Sequence, residues 1–119
     1  MTRTKNKGGL FLKETKGVMR GVLGMYEGAE IDLKDGPVII GRDASKSNLV
    51  YEAVYAKVSR KHCEISYQPQ TGMYQLVDYS STGTYKNGSS NCLPQNMPVT
   101  LEPGSIIDIG DETNRFVLL

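Results

Sequence analysis

The chain has 119 residues, 14 Lys+Arg against 13 Asp+Glu, one His, two Cys and no Trp. This length suits one domain with its own core, and the near-neutral charge argues against a nucleic-acid binder that works through general basicity. No apolar run approaches the ~18 residues of a membrane span. One His with two Cys cannot close a four-ligand zinc site, and leaves little room for histidine-based acid–base catalysis.

The charge is uneven along the chain. Arg3, Lys5, Lys7, Lys13, Lys16 and Arg20 stand against Glu14 alone, so the first twenty residues carry +5 and the remainder −4. Residues 1–17 read as a flexible basic tail ahead of a domain spanning 18–119. Its one apolar patch, Leu10-Phe11-Leu12, is too short for a secretory h-region. From Val18 onward the pattern predicts strands. Val18 to Leu23 is the first, and Ala29 to Leu33 alternates. Asp35-Gly36 is a hairpin signal leading into Val38-Ile39-Ile40. A long connection from Asp43 to Val58 holds a short strand at Asn48 to Tyr51 and one helical turn between Glu52 and Val58.

His62 to Tyr67, a turn at Pro69 to Gly72, and Tyr74 to Val77 come next. Cys63, Ile65 and Tyr67 share one face, expected to be the core face. A hydroxyl-rich loop runs from Asp78 to the Asn87-Gly88 turn. Pro98 to Leu101, Ile106 to Ile109 and Arg115 to Leu119 are the last strands. Short strands with turns every 8–12 residues predict an all-β sandwich or barrel. Cys63 in a core strand and Cys92 in a polar stretch read as two free thiols of a cytoplasmic protein.

In such a fold the loops carry function. Three stand out: Gly41-Arg42-Asp43 after an apolar strand, Ser59-Arg60-Lys61-His62 before another, and Asp78 to Gly88. An arginine at a strand exit suits bidentate contact with phosphate. The hydroxyl-rich loop supplies neutral donors for an anion. Of the eight cations beyond residue 20, six (Arg42, Lys46, Lys57, Arg60, Lys61 and Lys86) lie in or beside these loops. That arrangement points to a small localised anion rather than a polyanion. Neither a Walker A pattern nor GxGxxG occurs, and no nucleophile–base pair or metal cluster accompanies His62. The reading is therefore of a non-enzyme that needs no cofactor.

Gly41-Arg42, Ser59-Arg60-Lys61-His62 and Ser80-Ser81-Thr82-Gly83, followed by Thr84 and Asn87-Gly88, resemble the forkhead-associated (FHA) domain over residues 18–119. The resemblance implies a two-sheet β-sandwich of about eleven short strands, with binding loops at one end. It implies phosphothreonine-peptide binding in Ser/Thr kinase signalling or regulated assembly, the partner being a kinase or its substrate. The alternative it leaves open is a scaffold module that binds a protein independently of phosphorylation. By position, Arg42 matches the arginine that contacts phosphate, and Ser59 the serine that donates to it. Arg60 matches a residue contacting phosphate or peptide backbone, and Ser81 a hydroxyl near the phosphothreonine. Gly41, His62, Gly83 and Asn87 match residues that shape the loops. Thr82 stands where the family commonly has Asn. It lacks the amide's paired donor and acceptor, which implies weaker binding or a backbone clamp supplied by Arg60.

Overall fold

Alternation decides which way each strand faces. In Met73–Asp78 the even-numbered Tyr74, Leu76 and Asp78 are buried and the odd-numbered residues are half-exposed. In Cys63–Gln68 the same rule buries Cys63 and Ile65 and packs Tyr67 against them. The computed structural model describes residues 15–119; the first fourteen residues of the expected basic tail lie outside the described residues. Among the described residues there are ten strands and no helix.

These are β1 (Val18–Leu23), β2 (Glu30–Asp32), β3 (Val38–Gly41), β4 (Leu49–Val50), β5 (Cys63–Gln68), β6 (Met73–Asp78), β7 (Thr84–Lys86), β8 (Val99–Leu101), β9 (Ile106–Ile109) and β10 (Arg115–Leu118). They form two five-stranded sheets, ordered β2-β1-β10-β9-β7 and β4-β3-β5-β6-β8. Only the β3–β4 pair is parallel. Between the sheets lie Met19, Ile40, Ile65, Leu76, Ile107, Ile109 and Phe116, all fully buried. Apolar faces of this kind supply the main driving force for closing a sandwich.

Three sequence expectations change. Asp35-Gly36 is a turn but not a hairpin, because β2 and β3 belong to different sheets and the chain crosses over there. An Asp-Gly pair marks a reversal without specifying which sheet receives the next strand. Residues 84–86, read as loop, form β7 and pair with β9; a three-residue strand is too short to show a period. About eleven strands were expected and ten form. Between β7 and β8 the chain makes only isolated bridges, Tyr85 with Cys92 and Asp78 with Gln95. That stretch is largely exposed and holds Pro94, which cannot donate to a ladder. The stretch from Glu52 to Val58 makes single turns closed by Tyr55 N–H to Glu52 and Val58 N–H to Tyr55.

Asn87 and Gly88 both have positive φ, 51° and 76°, as a tight turn leaving β7 requires. Ile40 pairs with Cys63, and Cys63 with Asp78, so β3 ends, β5 begins and β6 ends at one edge of the sandwich. The loops after Gly41, before Cys63 and after Asp78 are thereby gathered at that edge. At the opposite edge the Tyr74 hydroxyl, from one sheet, accepts the Gly17 N–H at 3.0 Å and donates to the Leu119 carbonyl. Gly17 and Leu119 flank β1 and β10 of the other sheet, so this phenol ties the sheets together. Tyr74→Phe leaves both groups unpaired. It is expected to cost about 1–3 kcal/mol and to lower Tm by about 5–15 °C in a domain of this size, read by thermal denaturation.

Candidate functional site

Gly41 closes β3 where its Cα lies against the neighbouring loop. A Cβ there would overlap the Arg60 carbonyl oxygen and the Ser47 hydroxyl. Glycine thus lets the backbones approach, and they then bond: Arg42 N–H donates to Ser59 O at 3.0 Å and Asp43 N–H to Arg60 O at 3.1 Å. The Arg42 side chain continues the stitch, its Nε–H donating to the Val58 carbonyl. With Nε engaged, the Nη edge of the guanidinium has no protein partner among the described residues.

Under these loops lies His62, fully buried. Its Nδ1 accepts the Ser59 N–H at 3.0 Å, which leaves the proton on Nε2 to be donated to the Gly83 carbonyl at 3.0 Å. The ring therefore joins the second loop to the third in its neutral form. Ser59 Oγ meets the third loop directly, accepting the Ser81 N–H at 3.2 Å with the two hydroxyls 3.5 Å apart. Thr82 Oγ1 donates to the Lys57 carbonyl. It adopts no positive φ, and its hydroxyl is spent on joining loops. Gly83 has φ 98° and is buried.

A buried acceptor supports the third loop from below. Asp78 takes hydrogen bonds from Ser80 Oγ at 2.7 Å and Thr84 Oγ1 at 2.8 Å, and Ser80 Oγ in turn accepts the Gly83 N–H at 2.7 Å. Gln95 Nε2 donates to the Ser80 carbonyl. The motif reading missed Asp78 as a support. Its signal was its inward place in the Tyr74–Leu76–Asp78 alternation, since a buried carboxylate requires partners.

The result is an open depression of about 360 Å³ lined by Arg42, Lys46, Ser59, Arg60, Lys61 and Ser81, with Tyr79 on its rim. Lys61 Nζ sits 4.2 Å from the Tyr79 ring centroid, a cation–π contact. Arg42, Ser59, Arg60 and Ser81 are thus brought together, with Gly41, His62, Thr82 and Gly83 as the framework around them. Asn87 is elsewhere: its Oδ1 accepts the Ile106 N–H at 2.8 Å, fixing the β7 turn to β9. Neither Lys57 nor Lys86 lines the depression. Cys63 is buried and Cys92 exposed, and both are free; burial pushes the Cys63 thiol pKa up, away from reactivity.

Comparison with known proteins adds the lineage. The family profile described as "FHA domain" matches residues 38–110, more than half of the chain. The search of curated proteins found no match. Among solved structures, the FHA domain of MEK1 superposes with a TM-score of 0.68 at 21% identity, covering 87% of this chain and 88% of that one. The FHA domain of CT664 protein from Chlamydia trachomatis gives a TM-score of 0.68 at 20% identity, covering 84% and 92%. A structure from work on phosphothreonine-dependent FHA domain interactions gives 0.62 at 25% identity, covering 84% and 91%. The MEK1 domain has also been solved with a phosphothreonine peptide of HOP1, at a TM-score of 0.65 and 21% identity, covering 87% and 95%.

Burial lowers the His62 pKa below its ordinary 6.5, outweighing the Gly83 hydrogen bond that favours the charged ring. The unfolded chain therefore binds a proton at His62 more readily. The stabilisation is fully present above about pH 6.5 and is lost as pH falls through the depressed folded value. Urea midpoints followed from pH 7.5 to pH 5 should decline, and His62→Gln should be less stable at pH 7.5 with a flatter decline. Gly41→Ala should destabilise by about 1–3 kcal/mol through overpacking, read in the same denaturation assay.

Proposed function

The chain belongs to the FHA domain family, and on that premise we propose that its loop edge binds phosphothreonine peptides. The observation that carries this reading is Arg42. Its Nε is anchored on the Val58 carbonyl, its Nη edge is unpartnered among the described residues, and it lines the depression that also holds Ser59. A guanidinium oriented in advance loses little rotamer freedom on meeting an oxyanion. The complex of the related MEK1 domain with a phosphothreonine peptide supports the same use here.

In this reading the phosphate sits on Arg42, with the hydroxyls of Ser59 and Ser81 as further donors. Arg60 holds the peptide backbone near the phosphothreonine. Thr82 acts through the loop: with its hydroxyl on Lys57 it shapes the third loop, leaving the backbone clamp to Arg60. The phosphothreonine brings about −1.5 to −2 charge and three acceptor oxygens. Each charge-assisted hydrogen bond contributes about 1.5–3 kcal/mol. Two or three, set against the cost of association, give affinities around micromolar, about −8 kcal/mol. An unphosphorylated threonine offers no anion to Arg42. The partner is then a protein modified by a Ser/Thr kinase, or the kinase itself, and the module binds without transforming its ligand.

Fluorescence anisotropy with a phosphothreonine peptide library and its unphosphorylated twins tests this. Binding should require the phosphate. Arg42→Ala should weaken it by about 30-fold or more, while Tm moves by only a few degrees. Equal affinity for both peptide forms, or unchanged affinity in Arg42→Ala, would overturn the assignment. A partner captured equally well after phosphatase treatment would point to phosphate-independent scaffolding instead.

A further inference from the structure

The depression holds more positive charge than one phosphate consumes. Arg42, Lys46, Arg60 and Lys61 all line it. Elsewhere, Arg20 pairs with Glu30 at 2.9 Å, Lys34 with Asp32 at 3.1 Å and Arg115 with Asp108 at 2.7 Å, while Lys57 and Lys86 have no ion pair among the described residues. Among the described residues, none of the four cations in the depression has a carboxylate oxygen within ion-pair distance. Asp43 lies near Lys46 and Arg60 but forms an ion pair with neither, and its Oδ1 takes the Ser45 N–H and hydroxyl at 2.9 and 2.7 Å. Glu64 accepts from the Tyr79 hydroxyl at 3.4 Å and does not reach Lys61. Counting Asp43 against the four cations leaves about +3, and a phosphate of −1.5 to −2 leaves about +1.

Part of the excess is also held in place. Lys61 rests on the Tyr79 ring, so its ammonium is kept on the rim rather than free in solvent. The phosphate engages Arg42, Ser59 and Ser81, so Lys46 and Lys61 are the cations left over. Cations of one sign gathered on one face add their fields, which draws an anion toward that face.

We propose that the ligand of this site is a phosphothreonine segment that carries a second negative group close by, read by Lys46 and Lys61. That group is either a carboxylate side chain or a second phosphate; the shared chemistry is an oxyanion flanking the phosphothreonine. This inference rests on phosphothreonine recognition and adds the character of the sequence around it. Lysine is a fitting reader, because a point charge on a flexible stem accepts an anion at either of two spacings.

Three peptides sharing one phosphothreonine core test it: one flanked by Ala, one by Asp and Glu, one by a second phosphoresidue. Affinities are measured at low and high salt. At low salt the acidic and doubly phosphorylated peptides should bind about three- to tenfold more tightly than the Ala-flanked one. High salt should shrink that ratio. Whichever gains more identifies the source of the second charge. Lys46→Met with Lys61→Met should bring the ratio to about one, and each single change should remove part of it. Equal affinity for all three peptides overturns the proposal while leaving phosphothreonine recognition standing, as does a ratio that survives the double substitution. Failure of the Ala-flanked phosphopeptide to bind better than its unphosphorylated twin overturns the recognition itself.

Discussion

His62 accepts the Ser59 amide on one ring nitrogen and donates to the Gly83 carbonyl from the other. Because it is shut off from solvent, neither bond competes with water. The neutral ring is the one form that can accept on one side and donate on the other. Every other contact of the site builds on that geometry. Ser59 is held by its N–H, so its hydroxyl is free to meet the Ser81 amide. Gly83 is held by its carbonyl, and its N–H falls to Ser80 above the buried Asp78. Arg42 is the outermost layer, its Nε on the Val58 carbonyl four residues before the imidazole.

Electrostatics divides the molecule in the same way. The body beyond residue 20 is acidic overall, yet four of its eight cations line one depression. Among the described residues, the exposed pairs Arg20–Glu30 and Lys34–Asp32 contribute little, about 0–1 kcal/mol each, while Arg115 satisfies the buried Asp108 carboxylate with two hydrogen bonds. The loops that carry the four cations are stitched together in backbone, Arg42 N–H to Ser59 O and Asp43 N–H to Arg60 O. Little ordering is then left for the ligand to impose, which favours affinity.

Much of the fold was legible in the sequence because a strand's two faces write a period of two into its residues. Val18 to Leu23 and Ile106 to Ile109 were read with the bounds they have. What escaped had no such signature. Thr84 to Lys86 is too short for a period, and Asp35-Gly36 reverses the chain without naming a sheet. At the site, Arg42, Ser59, Arg60 and Ser81 lie together because their motifs flank strands whose ends the register aligns. The carbonyls of Val58 and Lys57, which anchor Arg42 and Thr82, are backbone groups that any residue type could supply. No side-chain pattern announces them. Asp78 was readable from alternation, but its role depended on Ser80 and Thr84 closing on it.

Amide chemical shifts on titration with a phosphothreonine peptide and its unphosphorylated twin decide whether a phosphothreonine is bound on Arg42 and Ser59 over the His62-braced loops. Only the phosphopeptide should move signals, with the largest shifts on Arg42, Ser59, Arg60, Ser81 and Thr82. Strands at the far edge around Gly17 and Tyr74 should stay still. Shifts induced equally by both peptides, or centred away from these loops, would contradict it.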